Sequence, residues 1–239
     1  MEAGGPNSLT PEMEMLAALY RAFEGLTRSR RAACGPGCHA CCTGRATLTT
    51  LEGIWLLRGL RRAGREDLAK RAVASPRDQA LRPVVTFNAR ARLCLARQEP
   101  PAEPEPAGSG GVCPLLVEGR CAAYDHRPLA CRAMASREAC RPGGRALQAP
   151  FWVTLNIAFY QIVEHASLGG GFGLLPDVLA AGEQGRGPGL LACEPLPGLP
   201  APPEHQGRLQ AALGQVFRLR LRGGTLGAAL DDLRARHGR

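Results

Sequence analysis

The chain has 239 residues, 45% of them hydrophobic, and this length suffices to bury a sizeable core as one domain, with or without appendages. The formal net charge of +9 suits a nucleic-acid partner, but lysine occurs once among the 30 basic residues, and the arginines are spread along the chain with few aromatic residues between them. We therefore expect no nucleic-acid partner.

The sequence predicts neither a secretory signal nor a membrane span. The first ten residues contain no basic region and no apolar region. The most apolar run, 151–163, has 13 residues and includes Asn156 and Gln161, whereas a membrane span needs about 20 apolar residues. We predict a cytoplasmic protein with no membrane contact. In that reducing compartment, clustered cysteines more often bind metal than form disulfides.

Helix signals dominate the first hundred residues. Thr10, Pro11 and Glu12 form a typical helix start, and Thr49 with Glu52 forms a capping-box pattern that opens a second helix ending near Gly64. Four helices are predicted in this part of the chain. Three of them are 11–27, 66–74 and 84–97, and the fourth is the helix that begins after Thr49 and ends near Gly64.

The middle of the chain combines a predicted mobile loop with a predicted hairpin. Residues 98–111 are rich in Pro, Glu and Gly and predict the loop. Residues 115–124 predict a short β-hairpin around Glu118 and Gly119, with Cys113 and Cys121 at its two ends. Such a hairpin would bring these two sulfurs together.

The remaining sequence is predicted to be mostly helical. Residues 151–167 have a broad apolar face and predict the central core helix, and the glycines at 169–173 predict its end. A short helix is expected at 174–181. We predict one domain at 1–182, a Pro/Gly-rich linker at 183–203 and a helical extension at 204–239 with one or two surface helices. The predicted fold is mainly α with a small β-hairpin, organised around an irregular cysteine-ligated core.

Seven of the ten cysteines lie in two short segments and indicate a metal site. A tight turn can bring thiolates two and three residues apart to the same side of the backbone, and neither helix nor strand periodicity explains this spacing. The candidate ligands are Cys34, Cys38, Cys41, Cys42, Cys113, Cys121 and Cys131.

Seven thiolates exceed the four ligands of one tetrahedral zinc or one cubane iron–sulfur cluster, so there are two metals or some sulfurs do not bind directly. Our preferred hypothesis is one site formed by Cys34, Cys38, one of the adjacent Cys41 and Cys42, and one or more of the last three. Further candidates are Cys140, His39 and His126, whereas Cys94 and Cys193 are interpreted as ordinary apolar residues.

The two cysteine segments read CGPGCHACC at 34–42 and CPLLVEGRCAAYDHRPLACR at 113–132. Together they resemble the CxxCxxCC or YkgJ-like family, described as a zinc- or iron-chelating domain and often labelled an iron–sulfur oxidoreductase. The resemblance covers 34–132, and its second segment is the more specific. The matching positions there are Cys113-Pro114, Gly119, Cys121, Tyr124, Arg127-Pro128 and Cys131-Arg132.

Three classes of function follow from the thiols and the resemblance. The first is an iron–sulfur redox protein with a partner protein for electron transfer. The second is a zinc-stabilised structural or interaction module without catalysis. The third is an enzyme associated with methyl transfer, because flagellin lysine methylases carry a similar cysteine cluster. No glycine-rich cofactor loop or Ser/His/Asp set supports a particular reaction, so no catalytic residue is assigned. The thiol set does not distinguish zinc from iron.

Overall fold

The computed structural model describes residues 9–35, 37–75, 81–103, 111–140 and 146–237. The fold is mainly α-helical with small antiparallel sheets, as predicted. The helices are α1 (Pro11–Thr27), α2 (Thr50–Arg62), α3 (Glu66–Val73), α4 (Phe87–Leu95), α5 (Leu129–Ala133), α6 (Pro150–Ala166), α7 (Leu175–Ala181), α8 (Pro203–Phe217) and α9 (Leu226–His237). Within these ranges, no helix combines the length and the apolar character that crossing a membrane requires.

The strands are short and form three separate sheets. They are β1 (Thr47–Thr49), β2 (Leu116–Val117), β3 (Arg120–Cys121), β4 (Gly171–Leu174), β5 (Leu191–Ala192), β6 (Arg220–Leu221) and β7 (Gly224–Thr225). A three-stranded antiparallel sheet has the order β1-β4-β5, with Leu48 opposite Gly173. The other two sheets are the hairpins β2-β3 and β6-β7.

Local capping explains why the predicted helices begin where they do. The Thr10 hydroxyl accepts a hydrogen bond from the Met13 backbone N–H, at 3.3 Å, and α1 begins with Pro11. Thr49 and Glu52 form the complete capping box at the start of α2. These caps satisfy backbone donors that the first helical turn leaves unpaired, and the predicted starts of α1 and α2 are confirmed.

The first of two hydrophobic cores forms around α1 and α6. Phe23 of α1 and Phe159 of α6 are almost fully buried and meet edge to face, with ring centroids 5.1 Å apart. The C-terminal helices contribute to the same core through Leu209, Leu213, Val216, Leu226, Leu230 and Leu233. Residues 204–237, expected to form surface helices, therefore place one face of each helix in the core of the domain.

The second core lies beneath the hairpin of the second cysteine segment. Leu48, Leu56, Leu60 and Leu68 from β1, α2 and α3 pack with Leu115, next to the hairpin. Cys113, Val117 and Cys121 are partly buried against this cluster. The hairpin that carries two of the candidate ligands is thus supported from below by apolar side chains.

The glycine run after α6 is predicted only to end that helix, but in the structure it also forms a strand. Gly171 and Gly173 belong to β4, the central strand of the three-stranded sheet. A Cβ atom on Gly173 would lie 2.6 Å from the Leu190 side chain, and one on Gly171 would lie 3.0 Å from it. Glycine therefore permits the close approach of the segment before β5. A strand with so few side chains has no alternating pattern from which it could be predicted.

The predicted loop at 98–111 is only partly covered. Residues 98–103 have no regular secondary structure, and residues 104–110 lie outside the described part of the chain.

Candidate metal centre

The turn that carries Cys41 and Cys42 is joined directly to the segment that carries Cys113. The backbone N–H of Cys113 donates to the carbonyl oxygen of Cys42, at 3.0 Å, and Thr43 forms an antiparallel bridge with Val112. The turn itself is tight, because the backbone N–H of Cys42 donates to the carbonyl oxygen of His39, at 2.9 Å. Two cysteine segments that are distant in sequence are therefore adjacent in the fold.

The β2-β3 hairpin brings Cys113 and Cys121 together, as predicted. Glu118 and Gly119 have φ values of 49° and 73°, so both central residues of the turn are left-handed, which is the conformation that two-residue hairpin turns favour. Burial raises the pKa of the Cys113 thiol, and the nearby Cys121 raises it further. Each of these sulfurs is thus close enough to affect the ionisation of a neighbour.

Cys131 approaches the same place from α5. Burial raises the pKa of its thiol to about 12, and Cys113, Cys121 and Cys41 add to that rise. We use the term five-thiol group for Cys41, Cys42, Cys113, Cys121 and Cys131.

A buried carboxylate positions α5 and was not predicted as part of the site. Glu52 is 3% exposed, and its Oε1 accepts hydrogen bonds from the Leu129 backbone N–H, at 2.7 Å, and from the Tyr20 hydroxyl, at 2.9 Å. Its Oε2 accepts from the Thr49 backbone N–H, at 2.8 Å. One side chain therefore ties α1 and α2 to the first residue of α5, two positions before Cys131. The capping-box pattern found Glu52 but could not reveal its distant donors.

Cys41 and Cys42 share a hydrogen bond that separates their pKa values. This bond, together with the positive charge of Arg127, lowers the pKa of Cys41 to about 6, although burial opposes the shift. The same bond raises the pKa of Cys42, and burial adds to the rise. The pair therefore carries one thiolate near neutral pH. This thiolate is on Cys41, which is the more exposed of the two residues.

The remaining cysteines of the first segment face a different partner. The Ala33 backbone N–H donates to the carbonyl oxygen of Ser136, at 2.8 Å, and the Ser136 backbone N–H donates to the Cys34 sulfur, at 3.3 Å. Burial raises the pKa of Cys34, and both Cys38 and Cys140 contribute to that rise through their proximity. We use the term three-thiol group for Cys34, Cys38 and Cys140.

The histidine candidates have neighbours other than the thiols. His126 packs so closely on Gly59 of α2 that a Cβ atom there would lie 2.1 Å from the imidazole ring, and burial lowers the pKa of His126. His39 is exposed, and its Nδ1 lies 3.3 Å from the carbonyl oxygen of Gly37. Cys94 is exposed and Cys193 is buried, and both lie outside the two thiol groups.

Arginines supply positive charge around the five-thiol group. Arg127 lies with its guanidinium carbon 3.5 Å from the centroid of the Tyr124 ring, and its Nε donates to the Tyr124 carbonyl oxygen, at 2.8 Å. Its charge lowers the pKa of Cys131 as well as that of Cys41. Arg71 donates from Nε to the carbonyl oxygen of Pro114, at 2.8 Å, and lowers the pKa of Cys113. Both cations favour the thiolate forms that bind metal.

The donor set fits zinc or iron by its chemistry, since both metals take thiolate ligands. All ten cysteines are free thiols. The sulfurs do not, however, form a finished coordination shell: among the residues that the structure describes, no three His, Cys, Asp or Glu side chains converge on a point that could hold an ion.

The helical fold with its two thiol groups is cysteine-rich. Residues 33–149 match the model of the CxxCxxCC family, whose description is "Putative zinc- or iron-chelating domain", and the resemblance predicted from the cysteine segments is confirmed for this part of the chain. The family match of this part of the chain supports metal binding. The match encloses both thiol groups. Neither the curated proteins nor the solved structures include a match to the chain.

Proposed function

We propose that the protein binds zinc or iron through the five-thiol group. The observation that carries this proposal is the backbone pairing of Cys42 with Cys113, which holds the turn with Cys41 and Cys42 against the segment that leads into the hairpin. Five thiols from three separate segments then lie within range of one another's charge. Four of them suffice for one tetrahedral zinc or one cubane cluster, so one of the adjacent Cys41 and Cys42 is available for another role.

The three-thiol group is proposed as a second set of ligands rather than as part of the same shell. Cys38 and Cys140 both lie close enough to Cys34 to raise its pKa, and the Cys34 sulfur accepts a hydrogen bond from the Ser136 backbone N–H. This proposal modifies our preferred hypothesis, which placed Cys34 and Cys38 in one shell with the hairpin cysteines.

The chain's own residues have defined tasks in such a site. Glu52 fixes the start of α5 and so the position of Cys131, and the hairpin turn fixes the distance between Cys113 and Cys121. Arg127 and Arg71 offset the negative charge that accumulates when several thiols ionise together. A bound metal would supply either a redox couple or a cross-link between the three segments.

An electron-transfer role with an iron–sulfur cluster is our finer proposal. Cys41 is exposed while Cys131 is only partly exposed, so a cluster held by both would have one edge at the surface, where a redox partner protein can approach. A zinc-stabilised module is the alternative, and it is favoured by the packing of Cys113 and Cys121 against the second core, where a metal would extend that core.

The metal content of the purified protein and of matched variants tests the proposal. Protein purified without oxygen is expected to carry zinc, or iron with acid-labile sulfide and absorption near about 400 nm, the region typical of thiolate-bound clusters. Cys131→Ser should lose most of the metal of the five-thiol group. Cys94→Ser, which removes an exposed cysteine outside both groups, should retain all of it.

The two groups are separated by a second pair of variants. Cys38→Ser and Cys140→Ser should each lose the same fraction of the bound metal, namely the metal of the three-thiol group. The metal of the five-thiol group should stay bound in both variants. A folded wild-type protein without zinc or iron would refute metal binding, and complete loss of metal in Cys140→Ser would refute the division into two groups.

A further inference from the structure

A cleft of about 280 Å³ lies beside the five-thiol group, between α1, α2 and the segment 124–132. Its volume is just below the range of about 300–1,000 Å³ that is typical of small-ligand sites. Aromatic rings and guanidinium groups supply most of its lining, namely Tyr20, Trp55, Tyr124, Arg21, Arg127 and Arg132.

Trp55, one of the residues that line the cleft, has a buried donor without a protein acceptor. The indole Nε1–H of Trp55 is buried and has no hydrogen-bond partner in the described part of the chain. An unpaired buried N–H costs about 1–3 kcal/mol unless a ligand or water accepts from it.

The arginines of the cleft differ in how they are engaged. Arg132 is held by Glu24, by the carbonyl oxygen of Asp125 at 2.6 Å and by that of Arg127 at 2.7 Å, so it serves as a fixed part of the wall. Arg127 uses its Nε for the Tyr124 carbonyl oxygen, and its two terminal nitrogens make no hydrogen bond within the described ranges.

The charge balance of the cleft is positive. Arg21 is exposed at the rim, and two carboxylates, Glu24 and Asp125, also line the cleft. Glu24 is paired with Arg132 and 57% exposed, so it faces solvent more than the interior of the cleft. Three guanidinium groups against two carboxylates leave a net positive charge, and the arginines with available donors are Arg21 and Arg127.

We propose that this cleft binds a small organic anion, with a planar apolar body against the rings of Trp55 and Tyr124 and a carboxylate or phosphate group on Arg21 and Arg127. Arginine binds both oxyanions through paired N–H donors. The same Arg127 acts on the Cys41 and Cys131 thiols, which places the anion next to the proposed metal centre. Arg127 is shared with the proposed metal site, but the anion contacts no thiol, so the two sites can be tested separately.

Fluorescence of Trp55 can report binding directly. The chain has two tryptophans, so Trp152→Phe leaves Trp55 as the single indole emitter. In this background, titration with phenyl phosphate or benzoate should give a saturable change in emission. Benzamide, which has the same body without the charge, should bind at least about tenfold more weakly, because a charge-assisted hydrogen bond is lost. Inorganic phosphate should also bind more weakly than phenyl phosphate, because it lacks the planar body.

Matched arginine variants decide which residues form the site. Arg21→Gln and Arg127→Gln should each weaken phenyl phosphate binding about five- to tenfold, whereas Arg28→Gln, which removes an exposed charge just after α1, should not change it. Equal affinity in all three variants, or no saturable response to either anion, would overturn the proposal. So would inorganic phosphate binding as tightly as phenyl phosphate. Repeating the titration on protein stripped of metal by a chelator should give the same affinity, so the anion site and the metal site can fail separately.

Discussion

At the residue scale, the adjacent Cys41 and Cys42 illustrate how two identical side chains acquire different chemistry. Neighbouring side chains diverge in an extended backbone, but the tight turn closed by the bond from Cys42 N–H to the His39 carbonyl lets their sulfurs meet. The hydrogen bond between them stabilises the Cys41 thiolate and disfavours ionisation of Cys42. A thiolate that exists at neutral pH is ready to bind metal without first losing a proton.

Alkylation of the metal-free protein should therefore occur first at Cys41. With iodoacetamide below one equivalent at pH 7, we expect Cys41 to react at least tenfold faster than Cys131, whose pKa is raised to about 12 by burial. The rate at Cys41 should rise through about pH 6 and then level off. Peptide mass spectrometry measures both rates, and equal labelling of the two residues would contradict the assignment.

The Cys42→Ala variant is the matched control for this prediction. It removes the donor of the hydrogen bond, so the pH at which Cys41 labelling is half-maximal should move up towards the ordinary thiol pKa of 9.0. An unchanged profile would mean that Arg127 alone accounts for the lowered pKa.

At the scale of single elements, α5 depends on a residue from another helix. It has five residues, and no side chain of its own caps its start, so the Leu129 N–H relies on Glu52. Burial raises the pKa of Glu52, while the bonds from Thr49, Leu129 and Tyr20 oppose that rise. The buried carboxyl thus functions as a shared acceptor for three segments, and its loss would release the element that carries Cys131.

Glu52→Gln should destabilise the protein more than its small change in shape suggests. The amide replaces one acceptor oxygen with an NH₂ donor, which would face a backbone N–H or the Tyr20 hydroxyl in a buried position. We expect the free energy of unfolding to fall by about 2–4 kcal/mol, measured by urea denaturation. Glu66→Gln, at an exposed position in the first turn of α3, should change it by less than about 0.5 kcal/mol. A difference below that limit for Glu52→Gln would contradict the proposed acceptor role.

The elements that could be predicted from sequence are those with local causes. Thr10, Pro11 and the Thr49–Glu52 pair specify helix starts through contacts within four residues, and Glu118-Gly119 specifies the hairpin turn. The sheet β1-β4-β5 could not be predicted, because its central strand is short, half glycine and paired only with distant segments.

The same distinction applies to the candidate site. The sequence identifies the cysteines and their hairpin, since these lie in short contiguous segments. The pairing of Cys34 with the segment around Ser136 depends on one long-range backbone contact, from Ala33 to Ser136, which no local pattern specifies. The role of Glu52 at α5 is likewise set by a contact 77 residues away in sequence.

At the scale of the whole molecule, two adjacent residues of α6 hold the C-terminal part of the chain in place. Glu164 accepts hydrogen bonds from the backbone N–H groups of Asn88, at 2.8 Å, and Glu194, at 2.9 Å. His165 lies 2.8 Å from the Leu230 carbonyl oxygen through Nε2, and its Nδ1 accepts from the Leu196 backbone N–H, also at 2.8 Å. These contacts require a neutral imidazole with its proton on Nε2, because Nδ1 must keep its lone pair.

Mild acid should therefore loosen the C-terminal helices through His165. Burial lowers its pKa below the ordinary 6.5, Arg234 lowers it further, and the Leu230 carbonyl and Asp231 oppose the shift. A lowered pKa means that the unfolded chain binds the proton more readily than the folded chain. The contribution of neutral His165 to the free energy of unfolding is therefore complete above about pH 6.5, and it is lost as the pH falls through the folded-state pKa. The free energy of unfolding should decrease by up to about 1.4 kcal/mol per pH unit in that range.

Hydrogen exchange locates the effect on the molecule. Between pH 7 and pH 5, amides of α9 should lose protection relative to those of α1, after correction for intrinsic exchange rates, because a proton on Nδ1 breaks the bond to Leu196 N–H next to the docking site of α9. His165→Gln stays neutral at every pH and should abolish this dependence, even if it lowers stability throughout. His237→Gln, which removes an exposed histidine from α9 itself, should leave it intact. If His165→Gln retains the wild-type pH dependence, another group on the C-terminal segment controls its docking, and the neutral imidazole of His165 serves only to satisfy two buried backbone groups.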